Sequence, residues 1–154
     1  MILNTVLSIF SAFVTLSIGA QSALPNIGDR YELKNKSTLL LVSPGQVYPA
    51  EKVTFEGSVF KIAVNPKNEV AYIATSNSTF KTQEGISAES TLADVLRVGG
   101  SSPVHERGWA YRCDLPSGWS VAFHSTDFGS TPPRELSEPI ATTRVAWIFK
   151  RRRS

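Results

Sequence analysis

The chain has 154 residues, with 16 Lys and Arg against 13 Asp and Glu, and its net charge of +3 is more than accounted for by the run Lys150–Arg153. The rest of the body is close to neutral, which argues against a dedicated nucleic-acid binder with its basic face. One cysteine excludes an internal disulfide framework, and that cysteine with two histidines at no short ligand spacing does not make a zinc site.

The first 22 residues, MILNTVLSIFSAFVTLSIGAQS, lack charge and end in small residues, the pattern of a signal peptide cut after Ala20 or Ser22. An uncleaved anchor is the alternative, but Asn4, Thr5, Ser8, Ser11, Thr15 and Ser17 would insert poorly. A secreted or periplasmic location is therefore expected. Residues 23–154 form one expected domain, long enough to bury about two-thirds of its unfolded surface, and no later stretch is apolar for long enough to cross a bilayer.

Ala23–Lys36 reads as an irregular lead-in with Pro25, Asn26, Gly28 and Asp29 as turn formers. A strand is predicted over Ser37–Val42, ended by Ser43-Pro44-Gly45, and a short one over Val53–Phe55. Asn35-Lys36-Ser37 and Asn77-Ser78-Thr79 match the glycosylation pattern, which has meaning only in a eukaryotic source. The next pair is clearer. Val59–Asn65 and Glu69–Thr75 form a hairpin through Pro66-Lys67-Asn68, with Val64 against Val70, Ile62 against Tyr72 and Phe60 against Ala74, all on one face.

A short helix is predicted from an N-cap at Ser90 to Val98, with Asp94 near its first turn, Leu92, Val95 and Leu96 at helical spacing and Gly99 as terminator. So short a helix needs packing against the apolar sheet face. A second hairpin follows over Gly108–Ser125. Its turn Leu115-Pro116-Ser117-Gly118 opposes Leu115 to Trp119, Cys113 to Val121 and Tyr111 to Phe123, with the odd-numbered residues from Trp109 on one face. Phe128–Thr142, with three prolines, reads as a surface loop, and Thr143–Lys150 as a last strand with Val145, Trp147 and Phe149 on one side. These elements predict an α+β fold in which an antiparallel sheet of four or five strands, in the order β-β-α-β-β-β, carries one helix on one face.

Candidate chemistry is sparse. Cys113 with His105 or His124 would make a thiol–imidazole pair, but the hairpin register sends Cys113 and His124 to opposite faces, so a buried inert thiol is favoured. His105, in a loop, keeps a small hydrolase or transferase open as the alternative. No calcium or phosphate loop is present, and the Ser-x-x-Lys at Ser58 and the Asp127-Phe128-Gly129 triplet stand outside the contexts in which they act. No cofactor is expected. Lys150, Arg151, Arg152 and Arg153 read as a basic solvated tail over 150–154, with attachment to an anionic surface as the functional alternative. Trp119, at the hairpin end among Trp109, Trp147, Tyr48 and Tyr111, is a candidate for a binding surface.

Gly85, Ser90-Thr91-Leu92, Asp94-Val95-Leu96, Gly99-Gly100, Pro103 and Gly108-Trp109-Ala110-Tyr111 form a pattern of capped helix, glycine, proline and hairpin. It resembles the outer-membrane-assembly lipoproteins of the SmpA/OmlA kind and the beta-lactamase inhibitor fold, without their lipid-bearing cysteine and with an extra strand pair before the helix. The resemblance covers residues 85–123 and implies a protein-binding role with no catalytic residues to carry across. The expected function is thus a non-enzymatic envelope or secreted domain with a protein partner.

Overall fold

Two glycine turns begin the structure, a computed structural model that describes residues 23–36, 38–124 and 141–152. Thr38–Ser43 (β1) reverses through Pro44-Gly45 into Gln46–Phe55 (β2), and β2 reverses through Glu56-Gly57 into Ser58–Val64 (β3). Glu56 and Gly57 both have positive φ, 47° and 76°, the geometry of a type I′ turn whose twist matches that of the strands it joins. Val70–Thr75 (β4) completes a four-strand meander. After the helix Leu92–Arg97 (α1), the strands Val104–Glu106 (β5), Ala110–Asp114 (β6) and Ser120–Phe123 (β7) form a second meander. Trp147–Arg151 (β8) then inserts between the two, antiparallel to both β4 and β7.

The product is one eight-stranded antiparallel sheet in the order β1-β2-β3-β4-β8-β7-β6-β5, curled like half a barrel, with the two-turn α1 as its named helix among the described residues. This corrects the expected α+β fold of four or five strands. Two causes account for the difference. β2 runs for ten residues rather than three because the part before Val53, Gln46–Lys52, carries no apolar alternation to betray it, and β5 is too short to show a pattern.

Ala50, Ala63, Ala74, Ala110 and Ala122 share the inner face with Val42, Tyr72 and Phe149, and Leu40, Tyr48, Trp109 and Trp147 pack against them. The outer face carries two further clusters. Phe60, Ile62, Val64, Val70 and Ile73 are covered there by Tyr31 and Leu33 of the lead-in, and Tyr111, Cys113, Val121, Phe123 and Ile148 by Leu92 and Val95 of α1. The helix thus packs on the sheet as expected. Its N-cap is Thr91 rather than Ser90, in a reciprocal capping box with Asp94, and Gly99 ends it at φ 84°.

Register confirms one hairpin and corrects the other. Cys113 faces Val121 and Tyr111 faces Phe123, and the Leu115 N–H donates to the Trp119 carbonyl at 2.8 Å, as the turn predicts. In the first hairpin Val64 does face Val70, but a bulge at Ala71 sets Ala63 against Tyr72 and Ile62 against Ile73. The extra residue turns Tyr72 and Ala74 to the inner face, away from Phe60, Ile62 and Val64. Trp109 likewise belongs with the inner cluster because it lies in the turn before β6, and Val145 packs with the outer cluster because it precedes β8. The signal segment, residues 1–22, and most of the Phe128–Thr142 loop lie outside the described residues.

Candidate functional site

A hollow of about 820 Å³ opens on the inner face, within the roughly 300–1,000 Å³ of small-molecule sites. Five strands and residues next to strand ends supply its walls. Lys52 of β2 and Val59 and Lys61 of β3 form one side; Tyr72 and Ala74 of β4 lead across to Trp147 of β8, Ala146 and His124; Leu40 and Leu41 of β1 and Trp109 close it.

The aromatic lining is held in place by its own polar atoms. Trp147 Nε1 donates to the Tyr72 hydroxyl at 2.9 Å, and Trp109 Nε1 donates to the Leu41 carbonyl at 3.3 Å. With both indole donors engaged, the rings offer the hollow apolar surface. Trp109 packs edge-on to Trp147 and Phe149 at centroid distances of 5.6 and 5.1 Å, so the two indoles brace each other. Burial pushes the Tyr72 hydroxyl far above the ordinary phenol value, leaving it neutral.

Charge in this hollow has one sign. Lys52 and Lys61 are direct cross-strand partners on the inner face, and no carboxylate lines the space among the described residues. A second hollow, of about 460 Å³, holds both signs: Glu106 and Arg151 line it already paired with each other, and Glu106 also takes the Arg112 Nε–H at 2.8 Å. Glu106 Oε2 and Arg151 Nη1 are nonetheless buried without a hydrogen-bond partner among the described residues.

The residues singled out from sequence lie elsewhere. Cys113 is fully buried on the outer face, its thiol pushed up to about 12 by burial, with the neighbouring Asp114 charge acting in the same direction. A thiol held neutral is no nucleophile. His124 is exposed and lines the inner hollow, on the opposite face as the register predicts, and the His105 ring stacks on Tyr111 at 4.5 Å on strand β5. Trp119 is half-buried beneath Phe80 at 5.0 Å, with Lys150 Nζ 4.7 Å over its ring, so it belongs to the packing of the outer face. Lys150 and Arg151 are strand residues in the middle of the sheet. Arg151 pairs with Glu106 and lies 5.0 Å over Trp109, and Arg152 reaches Glu69 at 3.3 Å. Arg153 lies outside the described residues.

Sequence reading passed over Lys52, Lys61 and Tyr72 as site residues, and named Trp109 and Trp147 only among the aromatics of a candidate binding surface. The signal was the inner alternation Ala50, Lys52, Thr54 against Ala63, Lys61, Val59, which becomes readable once Glu56-Gly57 is taken as a two-residue hairpin turn. Among the described residues no helix is long and apolar enough to cross a membrane, and no three His, Cys, Asp or Glu side chains gather as a metal site.

No protein-family model matches the chain, and no curated protein does. Among solved structures it is similar to the uncharacterized protein yfeY from Escherichia coli, with a TM-score of 0.46 and 16% identity over 67% of this chain and 80% of that one.

Proposed function

We propose that the protein is a non-enzymatic binding domain whose ligand sits in the inner hollow of the curled sheet. The observation that carries this reading is the pair of indoles, Trp109 and Trp147, which line an open space of about 820 Å³ with their N–H groups already engaged by Leu41 and Tyr72. Ala74 and Ala146 are the small side chains of the hollow's lining, while Ala50, Ala63, Ala110 and Ala122 are buried in the packed inner cluster. The uncharged apolar run at residues 1–22 supports an exported protein, and the likeness of residues 85–123 to envelope binding domains supports binding over catalysis.

The test is titration of the full chain with dodecanol, read through tryptophan emission. The expected result is saturation at one ligand per chain, with loss of saturable binding in Val59→Trp, which fills the hollow from its rim. A signal that never saturates, or that is the same in Val59→Trp, overturns the reading.

A further inference from the structure

We infer that the inner hollow takes an anionic amphiphile, its charged head held between Lys52 and Lys61 and its apolar chain laid against Trp147 and Trp109; this rests on the reading of the hollow as a ligand site.

Like charges directly opposite on neighbouring strands are destabilising, and sheets normally place opposite signs there. β2 and β3 set Lys52 against Lys61, and the flanking inner pairs, Ala50 with Ala63 and Thr54 with Val59, bring no charge to relieve them. Both lysines are exposed and line the same hollow.

The carboxylate nearest in sequence is turned away. Glu51 points outward, where Oε1 accepts the Tyr31 hydroxyl at 2.7 Å and Oε2 accepts the Lys34 and Asn35 N–H groups at 2.7 and 3.2 Å. The ion pairs among the described residues use neither lysine. Low-dielectric aromatic walls strengthen the field of such a pair at the hollow's mouth.

Apart from Tyr72, Thr75, Ser76, Asn77 and His124, the rest of the lining is apolar. Trp147, Trp109, Leu40, Ala74 and Ala146 have no free polar side-chain atom to offer, because both indole N–H groups are bonded. A cationic end and an apolar wall in one cavity match a molecule with an anionic oxygen head and a hydrocarbon body. A bare inorganic anion would leave the wall unused, and a neutral hydrocarbon would leave the lysines uncompensated.

The experiment compares ligands with one chain and different heads on the full protein: dodecanoate, dodecanol and dodecyltrimethylammonium, with acetate and inorganic phosphate as chainless anions. Dodecanoate is expected to bind about tenfold tighter than dodecanol at low salt, as charge-assisted hydrogen bonds imply. The cationic ligand should bind weaker than dodecanol, and acetate and phosphate should not compete. In Lys52→Gln/Lys61→Gln the preference for dodecanoate should vanish while dodecanol affinity holds, and in the wild type it should shrink as salt rises. Equal binding of dodecanoate and dodecanol, a preference that survives the double substitution, or full competition by acetate or phosphate overturns the inference. Absence of saturable binding by every chain-bearing ligand instead removes the hollow as a ligand site.

Discussion

The indole N–H of Trp109 donates to the main-chain carbonyl of Leu41, 68 positions away in sequence, and so ties the turn before β6 to the edge strand β1. That carbonyl is available for a local reason. Leu39 faces Pro49, which has no N–H, so their pair is of the kind that exchanges no hydrogen bonds, and Leu41, two residues on, also turns its backbone groups away from β2. Trp109 is therefore both a wall of the hollow and the strut across the open side of the curl. Trp109→Phe keeps most of the packing and should cost about 0.5–1.5 kcal/mol for the lost hydrogen bond. Trp109→Ala should cost toward the lower end of about 3–5 kcal/mol, since the side chain is only half-buried. Urea denaturation followed by circular dichroism measures both; equal costs for the two variants would show that the bond, not the ring, holds the sheet ends.

Stability and binding should trade against each other at Lys61. Lys61→Glu turns a like-charge cross-strand pair into an ion pair with Lys52, which should stabilise the unliganded protein by about 0.2–1 kcal/mol. The same substitution should remove the preference for an anionic ligand. A Lys61→Glu protein that is less stable than the wild type would mean that the lysine pair is already relieved by a group not seen among the lining residues.

Cys113 should be silent toward thiol reagents in the folded state at pH 8 and react fully in denaturant, because burial pushes its thiol up to about 12. The linkage has a definite sign. The thiol keeps its proton in the folded chain and loses it in the unfolded chain near 9, so this contribution to stability is whole below pH 9 and falls as pH rises toward 12. Cys113→Ala should flatten that alkaline loss in denaturation curves taken from pH 8 to 11. Rapid modification of the native protein at pH 8 would contradict the burial.

The capping box makes a prediction at the acid end. Asp94 accepts the Thr91 backbone N–H at 2.9 Å and the Thr91 hydroxyl at 2.8 Å, and these bonds, aided by Arg97, hold its carboxyl below the usual carboxylate value. A lowered carboxyl contributes fully above its unfolded value near 4 and loses that contribution as pH falls through the lower folded value. Thr91→Ala should cost about 1 kcal/mol at pH 7, and Asp94→Asn should weaken the dependence of stability on pH below 4. Thermal melts at pH 7 and pH 3 check both, and a Thr91→Ala melt identical to the wild type would mean α1 is held by Leu92 and Val95 alone.

Sequence by itself determined the local pieces, because each rests on contacts a few residues apart. Pro116 and Gly118 with the alternation around them set the register of β6 and β7, and Cys113 was legible as core for that reason. Gly99 and the run Leu92, Val95, Leu96 marked the helix, with its start displaced by one residue because Ser90 and Thr91 are both able caps. What only the tertiary structure decided is non-local. A bulge at Ala71 reversed the facing of Tyr72, and no letter distinguishes a bulged residue from a paired one. β8 entered the middle of the sheet rather than lying at its edge, which took Lys150 and Arg151 out of a solvated tail and into ladders with β4 and β7. The hollow follows from that insertion. Joining two meanders through β8 makes one sheet wide enough to curl, and only the curl brings Lys52 and Lys61 of the second and third strands into one space with Trp109 and Trp147 from the far half of the chain.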